Sequence, residues 1–351
     1  MASLSSGSAS GERFLVTGAL GCIGAWTVRT LVREGVPVVA FDLAADPRRL
    51  RSITTVDELA QVTLVEGDIT DLDSVERALT DHGVTNVIHL AALQVPASRA
   101  NPPLGARVNV VGTVNVFEAV RRLGDQIAQL VYTGSIGMFD AADADPATHR
   151  LEVATTPHPT NHYGVYKQAN EGTAQVYWRD NGLSSIGLRP MVVYGPGRDQ
   201  GLTSTPTKAV LAAVLGRPYT ISFGGRTLFQ YAEDVARDLI LASRSPLRGA
   251  RVFNVGGSLA TISEFVAAIE AAVPSAAGRI DWVEQPLPFP EDISDDGLDS
   301  LGPVSVTPLG EAVAATAEFF RDQLASGTLV PEEHGLEESP LAAVPVARPA
   351  S

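Results

Sequence analysis

The chain has 351 residues, 45% of them hydrophobic and 19% charged, which is enough apolar mass for one large domain or two modest ones. A net charge of −14 repels a phosphate backbone, so nucleic acid is not an expected partner, and no apolar run reaches the roughly 18 residues that a membrane span needs. The single cysteine, Cys22, excludes an internal disulfide; the first residues carry neither a basic stretch nor an apolar run, so no secretory leader is expected and a reducing cytoplasm is the expected compartment.

Met1 to Gly11 is Ser, Ala and Gly, and Pro331 to Ser351 is Pro, Glu and Ala, so both ends are expected to be disordered tails. From residue 12 to 189, short β-branched runs alternate with amphipathic stretches, the pattern of a parallel sheet covered by helices. Strands are expected at Arg13–Thr17, Pro37–Asp42, Val62–Glu66, Asn86–Leu90, Gln129–Ser135 and Ser184–Leu188, and helices at Cys22–Glu34, Leu72–Asp81, Leu104–Leu123 and Tyr163–Asp180. The expected fold is α/β, a Rossmann-type doubly wound parallel sheet. From 190 to 330 the pattern loosens into Gly- and Pro-containing loops and helices near Thr205–Leu215, Ala232–Ser243, Ser263–Ala272 and Pro308–Ala325. This half is expected to be a smaller substrate-binding cap, interleaved with the sheet through a further strand at Arg251–Val255.

Gly18-Ala-Leu-Gly21-Cys22-Ile23-Gly24 lies between the first strand and first helix. Glycines there admit a tight turn and let backbone N–H groups approach a pyrophosphate at the helix N-terminus. Cys22 reads as a small residue under the helix start. Asp42 ends the second strand about twenty residues later, where a carboxylate accepts both ribose hydroxyls and repels a 2′-phosphate. NAD is therefore expected over NADP, although Arg48 and Arg49 nearby leave some room for NADP. Asp68-Ile69, after the third strand, is placed to flank an adenine.

Tyr163 and Lys167 stand one helical turn apart on one face. An ammonium beside a phenol, together with an oxidised nicotinamide, favours the phenolate, which makes Tyr163 the expected proton carrier. Ser135, at the end of the fifth strand, is expected to orient the substrate oxygen. His158 and His162 are also four apart, but Pro159 interrupts any helix between them and no third ligand is evident, so no metal is expected.

On these residues the chain resembles the extended short-chain dehydrogenase/reductase superfamily, specifically its NAD-dependent epimerase/dehydratase family, from about Arg13 to Leu324. The resemblance implies Ser135, Tyr163 and Lys167 as the catalytic triad. It implies Gly18, Gly21, Cys22, Ile23, Gly24, Asp42, Asp68, Ile69, Leu90, Ala91, Ala92, Asn109, Tyr163, Lys167 and Val192 along the cofactor. His89-Leu-Ala-Ala92, Asn109-Val-Val-Gly-Thr113, Arg189-Pro190 and Tyr194-Gly-Pro196 match further family segments. Three departures matter. Ser135 is followed by Ile136-Gly137 rather than the Asp-Glu pair of the family's 4,6-dehydratases, which disfavours water elimination. Val192 replaces an asparagine that meets substrate phosphate, and Arg226-Thr-Leu-Phe-Gln-Tyr-Ala-Glu233 keeps little but the arginine of another segment. These losses suggest a small free sugar, sugar acid or other hydroxy or keto compound as substrate, with His162, Arg198, Gln200 and Arg226 as candidate contacts. A dehydrogenase and an epimerase that retains its NAD share the same triad; a non-catalytic NAD sensor would have no need of it. The apolar faces of the Leu104–Leu123 and Tyr163–Asp180 helices suggest a homodimer.

Overall fold

The computed structural model describes residues 11–43 and 46–336. Seven strands form the main sheet: β1 Phe14–Thr17, β2 Val38–Asp42, β3 Thr63–Glu66, β4 Asn86–His89, β5 Gln129–Thr133, β6 Ser185–Arg189 and β7 Ala250–Asn254. Their spatial order is β7-β6-β5-β4-β1-β2-β3, every neighbouring pair parallel. Successive strands step one way from β1 to β3 and the other way from β4 to β7, so a crevice opens outside the carboxyl ends of β1 and β4.

The strands are apolar because both sheet faces are covered. Phe14 and Val16 of β1 enter the core beneath helices α1 (Cys22–Arg33) and α7 (Ala232–Arg244), whereas Leu15 enters the opposite core beneath α3 (Leu72–Asp81) and α4 (Thr113–Leu123). A short helix, α2 (Arg48–Ile53), follows β2 and was not expected from the sequence.

The single helix expected over Leu104–Leu123 is realised in three pieces: Pro102–Ala106, a π-helical stretch Arg107–Gly112, and α4. Gly112, at the end of the wider turn, packs on the Ile69 side chain, and Gly105, just before it, packs on the Tyr166 ring, contacts that any Cβ would obstruct. Helix α5 (His162–Asn181) begins at an Asn161 cap whose side chain accepts Gly164 N–H at 2.9 Å and ends at Gly182, φ +67°.

The cap has its own core. Strands Val192–Tyr194, Arg226–Tyr231 and Ser258–Thr261 form a three-stranded sheet packed with α6 (Thr205–Val214), α8 (Ile262–Ala272) and α9 (Leu309–Ala325). Tyr194, Phe229 and Phe265 stack at its centre, their rings 4.6–6.0 Å apart. Between cap strands the chain returns to the main sheet twice, as α7 and as β7. The stretch expected to begin a tail at Pro331 instead packs: Pro331–His334 is a 3₁₀ turn, His334 lies edge-on to Phe320, and Leu336 is buried in the cap core. The tail expected at the other end falls, up to residue 10, outside the described residues, as do residues 337–351. Among the described residues no helix is long and apolar enough to cross a membrane.

Candidate active site

A cleft of about 820 Å³ opens at the carboxyl ends of β1, β4 and β5, with its far wall supplied by the cap. Its floor is the glycine loop. Gly18 has φ +66° and its α-carbon abuts Ala91 so closely that a Cβ would lie 2.7 Å from the Ala91 nitrogen; a Cβ on Gly24 would meet the Gly18 carbonyl at 2.2 Å. Two glycines are thus required by backbone contact, which brings the start of α1 to the strand ends. Gly21 caps α1 without any side-chain acceptor and no acid stands in the first turn, so the N–H groups at the start of α1 remain available to an anion. This donor set, together with Asp42, fits a dinucleotide.

Asp42 accepts Leu20 N–H at 2.9 Å through one oxygen and Leu43 N–H at 2.8 Å through the other. Asp68, Ile69, Leu90, Ala91, Ala92, Cys22 and Ile23 all line the cleft. Burial pushes the Cys22 thiol up to about 12, which leaves it an unreactive packing group. His89 is buried between Thr17 Oγ1 at 2.7 Å and Thr113 Oγ1 at 3.0 Å, and burial pushes its imidazole down to about 3. A neutral ring thereby ties β1, β4 and α4 under the cleft.

Two of the residues expected on the cofactor lie elsewhere. Asn109 is buried inside the π-helical stretch, its amide oxygen accepting Leu93 N–H at 2.7 Å and its amide nitrogen donating to Leu93 C=O at 2.9 Å. It holds the Leu90–Leu93 segment that lines the cleft rather than facing the cleft itself. Val192 points into the cap core, because strand alternation sends its neighbours Met191 and Val193 to the cleft instead.

Ser135, Tyr163 and Lys167 share one wall. Ser135 Oγ accepts Gly137 N–H at 3.0 Å, which leaves its own hydrogen free to donate. Gly137 lies against the Tyr163 ring, within van der Waals reach of where a Cβ would stand. Lys167 is 4% exposed; its Nζ donates to the Thr133 carbonyl at 2.8 Å and lies 5.7 Å from the Tyr163 ring centroid. Burial pushes the Lys167 ammonium down to about 8, against the opposing pull of Glu171 one turn on. Glu171 in turn holds Arg189 through paired contacts of 2.7 and 2.6 Å, locking α5 to the end of β6. Burial pushes the Tyr163 phenol up, while a hydrogen bond with Ser135 and the charge of Arg198 pull it down.

Of the four candidate substrate contacts, Arg198 and Gln200 line the cleft on a cap loop. Arg198 donates to Thr203 Oγ1 at 3.1 Å, and its Nε is buried without a hydrogen-bond partner. His162 is exposed at the start of α5, near Tyr166 and outside the cleft, because the helix turns it away from the Tyr163 face. Arg226 is exposed on a cap strand and pairs with Glu291 at 3.4 Å. His158 pairs with Asp143 at 2.6 Å, and among the described residues no group of three or more metal-ligating side chains is gathered. Sequence reasoning missed Asp199, whose carboxylate faces Arg49, and the apolar lining from Val95, Met191, Val193, Leu202 and Phe289. None of these carries a motif, and only folding brings them together.

The model of the NAD dependent epimerase/dehydratase family matches residues 14–256. A UDP-glucose 4-epimerase of Mycolicibacterium smegmatis is 31% identical over 329 residues, spanning 89% of this chain and 99% of that protein. The structure of Thermus thermophilus UDP-glucose 4-epimerase, a complex with NAD, superposes with a TM-score of 0.72 at 29% identity, covering 88% of this chain and 99% of that one. An L-threonine dehydrogenase from Cupriavidus necator, 23% identical, shares the fold with a TM-score of 0.75 over 87% of this chain and 99% of its own. The match across sheet, cleft and cap places this chain in the NAD dependent epimerase/dehydratase family of extended short-chain dehydrogenases/reductases, as an NAD-dependent enzyme.

Proposed function

We propose that the enzyme oxidises or reduces a hydroxyl- or keto-bearing carbon of a small sugar, sugar acid or related compound, with Ser135, Tyr163 and Lys167 as its catalytic residues. The observation that carries this reading is the shared wall: Ser135, Tyr163 and Lys167 line one cleft, the ammonium 5.7 Å from the phenol ring, together with a glycine loop with free N–H groups. Bound NAD supplies the hydride acceptor or donor at its nicotinamide. Tyr163 takes or returns the hydroxyl proton, Ser135 donates to the substrate oxygen, and Lys167 stands beside the phenol as a cation and ribose contact. Cofactor contacts are assigned to Gly18, Gly21, Cys22, Ile23, Gly24, Asp42, Asp68, Ile69, Leu90, Ala91 and Ala92.

Arg198 and Gln200 are the assigned substrate contacts. The substrate end offers one guanidinium among apolar and neutral side chains, which suits a single carboxylate or an uncharged sugar better than a diphosphate. Val192 is buried in the cap core and does not reach the cleft, so it favours neither a nucleotide sugar nor a smaller substrate. The second reading is a nucleotide-sugar epimerase that keeps its NAD, favoured by the near full-length likeness to a UDP-glucose 4-epimerase. Free sugars, sugar acids and nucleotide sugars assayed with excess NAD⁺ separate the two. Stoichiometric NADH with a free sugar or acid supports the dehydrogenase; inversion of a nucleotide sugar without net NADH overturns it.

A homodimer through the helical face is also proposed, supported by the exposed apolar side chains of Leu104, Val111, Val165, Val176 and Trp178 on neighbouring helices. A monomer mass in light scattering at micromolar concentration would remove it. Cytoplasmic residence is proposed on cysteine usage, since the single cysteine, Cys22, excludes an internal disulfide.

A further inference from the structure

Arg48 and Arg49 begin α2 a few residues after Asp42, and all three line the same end of the cleft. In a dinucleotide fold a carboxylate here takes the ribose hydroxyls, whereas a free guanidinium accommodates a 2′-phosphate. This chain carries both. Asp42 accepts the Leu20 N–H at 2.9 Å, and Arg49 Nη1 donates to the Leu20 carbonyl at 3.2 Å, so carboxylate and guanidinium flank one residue of the glycine loop.

A third group, from the cap, decides which of them is available. Asp199 is 4% exposed; its oxygens accept Arg49 Nε at 3.1 and 3.0 Å and Arg49 Nη2 at 2.8 Å, and Arg48 Nη2 lies 3.6 Å away. Arg49 is therefore committed on two sides, to a buried carboxylate 150 residues away in sequence and to the glycine loop. The cap loop that carries Asp199 is itself anchored, since Trp26 Nε1 donates to the Pro196 carbonyl at 2.9 Å. A 2′-phosphate entering this end would meet two carboxylates, the Arg49 guanidinium already taken and Arg48 drawn toward Asp199 by a longer ion pair.

We propose that Asp199 is a cofactor-selectivity residue: by engaging Arg49, and Arg48 behind it, it withholds from a 2′-phosphate the cations that stand beside Asp42, and so favours NAD over NADP. The proposal rests on reading this cleft as the dinucleotide site. It assigns selectivity to the cap as well as to the acid at the end of β2. Removing Asp199 releases a planar donor fork suited to phosphate and removes one negative charge from the same place.

The test is equilibrium binding of NADH and NADPH, followed by nicotinamide fluorescence, with wild type and Asp199→Asn. The expected result is a gain of about tenfold or more in NADPH affinity while NADH affinity changes less than about threefold, and loss of that gain in Asp199→Asn/Arg49→Leu. A parallel weakening of both dinucleotides, or an unchanged ratio, overturns the proposal and leaves Asp199 a staple of the cap. Asp42→Asn with Asp199 intact gives an arm independent of how well Asp199→Asn folds. It is expected to leave NADPH weaker than NADH, and equal affinities would also overturn the proposal. Wild-type protein that binds neither dinucleotide defeats the underlying site reading instead, so the two failures are told apart.

Discussion

At its glycine-loop end the cleft is walled by the turn from β1 into α1, the ends of β2, β3 and β4 and the start of α2, all segments that follow strands of one sheet, with the cap adding one carboxylate. At its cap end it is walled by pieces from Leu93–Ala97, Met191 and Val193, Arg198–Thr203 and Phe289, none adjacent in the chain. Backbone dominates the first region, where glycines are required by contacts under 3 Å; side chains dominate the second, where most are apolar and few are fixed by a hydrogen bond. The difference teaches that a dinucleotide end is specified by local geometry, and a substrate end by which loops the cap brings into register. It follows that the first should respond to single-atom changes and the second to changes of charge and shape.

The largest effect is expected where the two regions meet. Tyr163→Phe removes the proton carrier and should lower kcat by about 10³-fold with dinucleotide affinity held within about threefold, measured by turnover and by fluorescence titration. A smaller loss of kcat would mean that another group moves the proton. Next, Gly18→Ala forces a side chain into positive φ against the Ala91 backbone, and should cost about 2–4 kcal/mol of stability and weaken dinucleotide binding, read from denaturant melts and the same titration. An alanine there that changed neither would break the claim that backbone contact defines this end.

Lys167→Met sharpens the boundary between the regions through pH. The folded lysine is pushed down to about 8, so between pH 8 and its ordinary value the native state holds fewer protons than the unfolded chain. Native stability therefore rises with pH across that window, and below it the buried ammonium is a standing cost. The methionine variant should be more stable than wild type at pH 7 by on the order of 1–2 kcal/mol, with the gap closing toward pH 10. In wild type, where burial pushes the Tyr163 phenol up, kcat/KM for alcohol oxidation should rise with pH as the phenol loses its proton, and loss of the neighbouring cation in the variant should move that limb upward. Equal pH profiles would separate the lysine from the phenol. The smallest effect is expected at Arg226→Ala, where an exposed ion pair is lost; stability should stay within about 0.5 kcal/mol and kcat/KM within about twofold, against a clear rise in KM for Arg198→Ala.

The order of helices and strands, the glycine loop, Asp42 at a strand end and the one-turn spacing of Tyr163 and Lys167 were legible in the sequence. Each depends on near neighbours: strand alternation, helical period, or the φ that only glycine readily adopts. The reach of Asn109 to Leu93, the inward turn of Val192 and the outward turn of His162 were not, because a residue's facing depends on the register of the elements around it. A motif match locates a position along the chain, while the cleft selects by direction.

Arg48 and Arg49 show the same limit in charge. By itself the sequence determined that an acid and two arginines follow β2, since those residues are neighbours along the chain. Only the tertiary structure decided that the arginines are engaged, because their carboxylate partner arrives on a cap loop 150 residues later, and electrostatic pairing acts over a few ångströms of space.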